Sequence, residues 1–522
     1  MSYRVLIPTA GTGSRLEDLT RFLNKSLITI ANRPALAYLI DQFPTDAEFV
    51  IALGHKGELV REFLSLAYPQ RTFFFAEVDP FEGPGSGLGL SVLMCREFLR
   101  EPFVFCSCDT LVDEPIPPPV SNWMGHAQVD DIRPYRTLRL NHGQVSEICE
   151  KGAEEPDLAA YIGLAGIKDH AIFWDAMAAG GDRAIREGEA YGMRSILSKD
   201  VRGISFTWWD TGNKESLAKT KEKYKRPDAP NILDKPNEAI WFVKGNVIKF
   251  STDEEFIRNR VVRASQLTGY CPPVIDSTSH MYKYQEVEGM VLSEVITLPL
   301  FNLFLDHSAS FWQRHALNQD EQVTFRRVCL TFYRDKTEQR IQQFYRTFQR
   351  VDGTERINGV PMPTLAELLA GLNWEWLSDG LPGRFHGDFH FENVLWSEKN
   401  KGFTFLDWRQ EFGGSLTTGD IYYDLAKLLH GLIVCHELIT RDLYEVEWNK
   451  DEIRFDLLRR YILVECEQQY EEWLAEHGYD ARKIRVLTAL VYLNIAALHH
   501  YPYCLLLYAL GKQMLKNSLE MI

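Results

Sequence analysis

With 522 residues, 45% hydrophobic and 25% charged, the chain can build two or three ordinary cores, which excludes a disordered or low-complexity protein. Its 72 acidic and 57 basic residues give a net charge of −15, which argues against nucleic-acid binding, a task that needs a basic surface to neutralise phosphates. Nine cysteines, with no Cys-x-x-Cys pair and only Cys106 and Cys108 close together, read as buried thiols of a reducing compartment. The first residues lack the layout of a signal peptide, so the cytoplasm is the expected location.

In chain order, Val5 to Pro8, Phe49 to Leu53, Thr72 to Glu77 and Pro102 to Cys106 are short apolar runs bounded by Gly, Pro or Asp. The amphipathic stretches Ala35 to Phe43 and Gly57 to Leu66 lie between them, and this alternation predicts an α/β unit with a Rossmann-like, mostly parallel sheet covered by helices. The first run ends in Thr9-Ala10-Gly11-Thr12-Gly13-Ser14-Arg15. A strand that ends in such a turn presents backbone N–H groups to phosphate, and Arg15 and Lys25 add positive charge, so Ala10, Gly11, Thr12 and Gly13 are nucleotide-binding candidates. Phe103 to Asp109 is an apolar strand that delivers a carboxylate at its C-terminal edge, where open α/β sheets bind ligands, and Trp208-Trp209-Asp210 delivers another. Asp109 and Asp210 could share one Mg²⁺ on a nucleoside triphosphate.

Residues 224–237, with Pro227, Pro230 and Pro236 among charges, read as a linker between a domain at 1–223 and another at 238–522. Past it, Ala239 to Val243 and Val247 to Phe250 are strand-like around the tight turn Lys244-Gly245-Asn246, and from Pro299 onward the pattern is helical. A small sheet followed by a helical body predicts a two-lobed kinase-like (α+β) domain. The helical stretch Phe325 to Phe348 reads as a solvated face, and Trp374 and Trp376 as packing residues. Val486 to Leu510 contains no Asp, Glu, Lys or Arg, but Pro502 should divide it into two packed helices, not a membrane span. His499-His500 reads as a helix end.

The stretch His386-Gly387-Asp388-Phe389-His390-Phe391-Glu392-Asn393, followed by Phe405-Leu406-Asp407, carries the sharpest chemistry. An Asp five residues before an Asn lets one side chain orient a hydroxyl while the other holds Mg²⁺, and an Asp after an apolar run can hold metal on nucleotide phosphates. That is phosphoryl-transfer chemistry. Arg409, just past Asp407, is a candidate for substrate or phosphate contact.

On these residues, the first 222 or so resemble the nucleotidyltransferases that make NDP-sugars and CDP-alcohols. The resemblance implies that Gly11, Gly13 and Arg15 bind triphosphate, that Lys25 contacts phosphate, that Asp109 and Asp210 bind Mg²⁺, and that Glu150, Lys151 and Gly163 help to hold a phosphorylated acceptor. Asn24 stands where the family usually has proline, and Cys108 where it has glycine or alanine. The Gly-rich stretch Glu82 to Gly89 falls at the family's base-recognition loop without specifying the base.

Residues 238 to 522 resemble the aminoglycoside phosphotransferase and choline kinase superfamily, matched by His386-Gly387-Asp388, Asn393, Asp407 and Asp420 to Ala426. This implies Asp388 as the orienting or basic carboxylate, Asn393 and Asp407 as Mg²⁺ ligands, Asp424 as a structural tie and Lys249 as the partner of ATP phosphates. No Gly-x-Gly-x-x-Gly loop precedes Lys249. Together the two resemblances imply a bifunctional transferase that uses ATP, a second NTP (CTP, UTP or GTP) and one Mg²⁺ per domain. Its acceptor would be a small sugar or amino alcohol, and its product an NDP-activated precursor of surface polysaccharide or wall. The alternatives are a choline- or ethanolamine-type kinase joined to a cytidylyltransferase, and a chain in which only one half is catalytic. The sequence allows an oligomer and specifies none.

Overall fold

A computed structural model describes residues 3–153, 155, 157–225 and 237–520. The linker expected at 224–237, with its three prolines, lies almost wholly outside the described residues. Two compact units emerge: residues 1–257 with 275–286, and residues 258–274 with 287–522.

The first unit is built on a nine-stranded sheet. Its strands are β1 (Arg4–Pro8), β2 (Glu48–Leu53), β3 (Phe73–Glu77), β4 (Phe103–Cys106), β5 (Trp123–Ala127), β6 (Thr137–Asn141), β7 (Gln144–Cys149), β8 (Leu158–Ile167) and β9 (Arg202–Ser205). They lie in the order β3-β2-β1-β4-β8-β5-β9-β7-β6. The four strands expected from the sequence form the parallel part. Beyond β4 the sheet turns mixed, because β8 runs antiparallel to both β4 and β5. Alternate residues of the central strands enter separate cores: Val5, Ile7, Phe49, Ile51 and Val104 on one face, Leu6, Val50, Phe103 and Phe105 on the other. Both faces of the sheet are therefore buried, as continuous apolar strands require.

The expected boundary before residue 238 is not where the packing divides. Strands β10 (Glu238–Val243), β11 (Asn246–Ser251) and β12 (Met281–Gln285) pair antiparallel, with Lys244 and Gly245 at positive φ in the predicted tight turn. Helix α1 (Gly57–Ala67) closes this sheet. Trp241 is fully buried with its ring 5.4 Å from that of Phe63, Lys283 donates to the Leu66 carbonyl at 2.8 Å, and the Glu62 carboxylate accepts from the His280 backbone N–H at 3.0 Å. The sheet thus shares a core with the strands of the first unit.

The second unit is largely helical. It contains α2 (Gln319–Leu330), α3 (Lys336–Phe348), α4 (Ile421–Ile433), α5 (Tyr461–Glu476), α6 (Ala481–Ala496) and α7 (Tyr503–Glu520). A single π-helical turn, Thr331–Asp335, joins α2 to α3. Hairpin β13 (Val394–Ser397) and β14 (Gly402–Phe405) carries the Asp388 signature. A second hairpin, β15 (Tyr444–Asn449) with β16 (Glu452–Leu457), interrupts the helical pattern expected there. As expected, α6 ends before Pro502 and α7 begins after it, and among the described residues no helix is long and apolar enough to cross a membrane. All nine cysteines are free thiols, and eight of them are buried.

Candidate active sites

In the first unit the chain leaves β1 through the Gly-rich turn. Gly13 has φ 69°, and a Cβ there would stand 2.8 Å from Thr20 Cγ2, so both conformation and space demand glycine. Gly11 faces open space on that side, Thr12 is half-buried, Ala10 is buried, and the Ala10 carbonyl accepts from the His55 N–H at 2.9 Å. Asn24, at the position where proline was expected, is fully buried and ties the turn down. Its Nδ2 donates to the carbonyls of Thr9 (2.9 Å) and His55 (2.6 Å), and its Oδ1 caps the short helix Lys25–Leu27. That cap fixes the start of Lys25.

Lys25 Nζ pairs with Asp109, whose other oxygen accepts from Ser107 Oγ. Burial alone would raise the Asp109 pKa, but Lys25 overrides it and holds the carboxyl at about 2, while Asp109 raises the Lys25 pKa against its own burial. A two-strand ribbon pairs Asp210 with Thr110 and so sets Asp210 beside Asp109. A Cβ at Gly212 would lie 2.8 Å from Asp109 Oδ2, 2.9 Å from Asp210 Oδ1 and 3.5 Å from an Arg15 guanidinium nitrogen. The Asp210 pKa is raised, first by burial and then by Asp109. Tyr135, which the sequence reading missed, donates its hydroxyl to Asp210 Oδ2 at 3.1 Å.

Among the described residues no group of three or more His, Cys, Asp or Glu gathers at one point. Two hard carboxylates converging beside phosphate-directed cations still fit Mg²⁺, which commonly takes one or two protein carboxylates and fills its shell with phosphate oxygens and water. Lys151 is exposed at the surface, its pKa lowered first by desolvation and then by Arg15 and Arg136. Glu150 pairs instead with Arg136 (3.3 Å) and Arg194. Gly163, at φ 70°, lets β8 pass over Ser107, where a Cβ would meet Ser107 Cβ at 2.8 Å, so packing alone accounts for this glycine.

In the second unit the loop before β13 brings Asp388 and Asn393 together. Asn393 Nδ2 donates to the Asp388 carbonyl at 2.9 Å and to its Oδ2 at 3.1 Å, while Lys427 Nζ from α4 pairs with Asp388 Oδ1 at 2.8 Å. The Asp388 side chain stays 42% exposed, so a substrate hydroxyl can reach it. Burial opposes its charge, yet Lys427 and His390 hold its pKa well below the carboxylate range. Leu406 N–H donates to the Asn393 carbonyl at 2.7 Å, which sets Asp407 beside Asn393. Asp407 has φ 59° and pairs with Arg260 at 2.6 Å. The side-chain oxygens of Asn393 and Asp407 are again hard donors that fit Mg²⁺.

The loop is braced from behind. Asp424 Oδ atoms accept the backbone N–H groups of His386 and Gly387, both at 2.6 Å, and the Trp312 indole at 3.1 Å, so Asp424 is the expected tie. Its burial pushes the pKa up to about 6. Buried Arg263 donates to the carbonyls of Phe385, His386 and Arg409 and stacks 3.7 Å over the Phe385 ring. Arg409 packs close to Gly387 and donates Nε to the Glu411 carbonyl at 3.0 Å. Lys249 is buried on β11 and belongs to the first compact unit. Lys427, Arg263 and Arg260 were not read from the sequence. The first could have been: it is the lone lysine of an otherwise apolar helix, in step with Asp424.

Residues 360–473, which include Asp388, Asn393, Asp407 and Lys427, match the family described as Phosphotransferase enzyme family, APH. A curated bifunctional protein, GlmU of Methanococcus maripaludis, is 23% identical over 161 residues, 30% of this chain and 38% of its own length. The match thus spans well under half of that relative. Among solved structures, CTP:phosphocholine cytidylyltransferase from Streptococcus pneumoniae is 14% identical, covering 43% of this chain and 100% of its own, with a TM-score of 0.37. UDP-glucose pyrophosphorylase from Acinetobacter baumanii is 17% identical over 44% of this chain and 96% of its own, with a TM-score of 0.36.

Proposed function

We propose that the chain is a bifunctional transferase that first phosphorylates a hydroxyl of a small sugar or alcohol with ATP and then couples the phosphate ester to a second NTP. The observation that carries the reading is the presence, in one chain, of two separate constellations of an ionised carboxylate with a cation partner: Asp388 with Lys427, and Asp109 with Lys25. The match of residues 360–473 to the phosphotransferase family supports the first.

In the kinase step, Asp388 orients the acceptor O–H, whose oxygen attacks the γ-phosphorus of ATP. The new O–P bond forms as the bond from the β,γ-bridging oxygen to the γ-phosphorus breaks. ADP leaves, and the proton passes to Asp388. A carboxylate of such low pKa is a weak base, which suits a loose transition state in which the hydroxyl proton leaves late. In the nucleotidyl step a phosphate-ester oxygen attacks the α-phosphorus of the NTP, and pyrophosphate leaves. Lys25 and Arg15 stabilise charge that grows on the phosphates. Asn393 with Asp407, and Asp109 with Asp210, would each hold a Mg²⁺ that neutralises phosphate charge. The free thiols suit a reducing compartment, so the reaction is assigned to the cytoplasm; the product's use in surface-polymer synthesis rests on the nucleotidyltransferase resemblance alone.

The test is to incubate the protein with ATP, a panel of sugars and alcohols, and each NTP in turn. An NDP-linked product should form, and omission of ATP should abolish it unless the phosphate ester is supplied. A chain that turned over an unrelated phosphate ester while ignoring the product of its own kinase step would refute the reading.

A further inference from the structure

One turn along α4 from Lys427, the partner of Asp388, the second unit holds a small, water-sized cavity lined by Phe332, Tyr333, Lys336, Thr337, Tyr423 and Asn494, and closed by apolar residues of α6. Phe332 and Tyr333 lie on the π-helical turn that precedes α3, a kind of distortion that often marks functional sites. Tyr423 and Lys427 stand one turn apart on α4, so the wall of the cavity and the partner of Asp388 share one helix face.

The charges at this cavity are unusual for an aromatic pocket. Lys336 Nζ lies 4.1 Å from the centre of the Phe332 ring and 5.9 Å from that of Tyr423, and the Arg409 guanidinium lies 5.1 Å from Phe332. The ring surface that would attract an amine is thus taken by the protein's own Lys336 and Arg409 side chains. Arg340 follows Lys336 by one turn on α3. Among the described residues none of Lys336, Arg340 and Arg409 has a carboxylate within ion-pair distance, and the nearby Asp388 is already paired with Lys427. Burial, then Arg409, Arg340 and Lys427, push the Lys336 pKa down to about 6. An anion bound among these groups would relieve their repulsion. The buried Asn494 Oδ1, without a partner, accepts hydrogen bonds only, so it suits a hydroxyl of the bound molecule and not its anion.

We infer that the hydroxyl compound phosphorylated at Asp388 also carries an oxyanion, carboxylate or phosphate, which Lys336 receives with Arg340 and Arg409 nearby. The inference rests on the kinase reading of Asp388 and narrows it: a cationic acceptor of the amino-alcohol kind is disfavoured.

The test measures ADP release by the full chain with acceptors matched in shape and different in charge. Glucuronate, glucose 6-phosphate, glucose and glucosamine form one set; glycerate, glycerol phosphate, glycerol and serinol form another. An acid should exceed its neutral and amine counterparts at least tenfold in kcat/KM, with the carboxylate and phosphate arms showing which oxyanion is used. Lys336→Met should raise KM for that acceptor at least tenfold and leave KM for ATP unchanged, whereas Lys336→Arg should restore most of the loss. Preference for a neutral or amine acceptor would overturn the inference and leave the kinase reading standing. So would a Lys336→Met effect on KM for ATP alone, which would assign the cations to nucleotide phosphate. Absence of ADP release with every member would overturn the kinase reading, and the inference with it.

Discussion

At the scale of single residues, the chemistry depends on which charges each carboxylate meets. Asp388 is kept ionised against burial by Lys427 and His390, so removing Lys427 should raise its pKa. The acid limb of kinase kcat/KM should therefore move to higher pH in Lys427→Met, because Asp388 must be deprotonated to accept the hydroxyl proton. An unmoved limb would detach Lys427 from that role. Asp388→Asn should lower ATP-dependent phosphorylation by about 10²–10⁴-fold and leave nucleotidyl transfer to a supplied phosphate ester intact. In the other unit, Lys25→Ala removes a cation aimed at phosphate and should cost pyrophosphate release about 10²-fold with kinase turnover preserved. Much of this was legible because Asp388, Asn393 and Asp407 lie close in sequence and their spacing encodes their geometry. Lys427 left a trace, a lone lysine in step with Asp424, but Tyr135 and Lys336 left none, since each reaches its site from a different element and only the packed fold brings it there.

At the scale of elements, the sites are only as good as the turns that hold them. Arg263 supplies the donors for three backbone carbonyls of the loops around Asp388 and Asp407. Arg263→Met would take this donor from the Phe385 and Arg409 carbonyls and leave the His386 carbonyl only the Arg409 N–H, at a cost of about 2 kcal/mol or more. Thermal unfolding should then show one transition lowered, with kinase activity lost and nucleotidyl transfer retained at temperatures below it. A variant with unchanged unfolding and unchanged kinase rate would remove Arg263 from this brace. The parallel strands were readable because both their faces are buried and their apolar runs are unbroken. The β15–β16 hairpin does alternate, Tyr444-Glu445-Val446-Glu447-Trp448, a period-two signal hidden among strong helical neighbours. The stretch Phe325 to Phe348 does present the expected solvated face, but nothing in its spacing announces the π turn that sets Phe332, Tyr333 and Lys336 along a cavity.

At the scale of the whole molecule, the packing of Trp241 against Phe63 carries the first compact unit past residue 238, so a change in sequence pattern did not coincide with a change of core. The prolines of 224–237 suggested a join, while the partner of the following strands was set by α1, more than two hundred residues before His280 and Lys283. The two carboxylate sites nevertheless lie in different units: Asp109 and Asp210 in the first, Asp388, Asn393 and Asp407 in the second. If each site completes its own step and releases its product, the steps need not occur in one molecule. Asp388→Asn and Asp109→Ala protein, each unable to make the NDP-linked product alone from the unphosphorylated acceptor, should restore it when mixed. The restored rate should rise with the concentration of both variants and show a lag while the phosphate ester accumulates. Supplying that ester directly should abolish the lag and make the Asp388→Asn protein sufficient by itself. If the mixture stayed inactive while each variant kept its own half-reaction, the ester would have to pass within one chain, and independence of the two sites would be refuted.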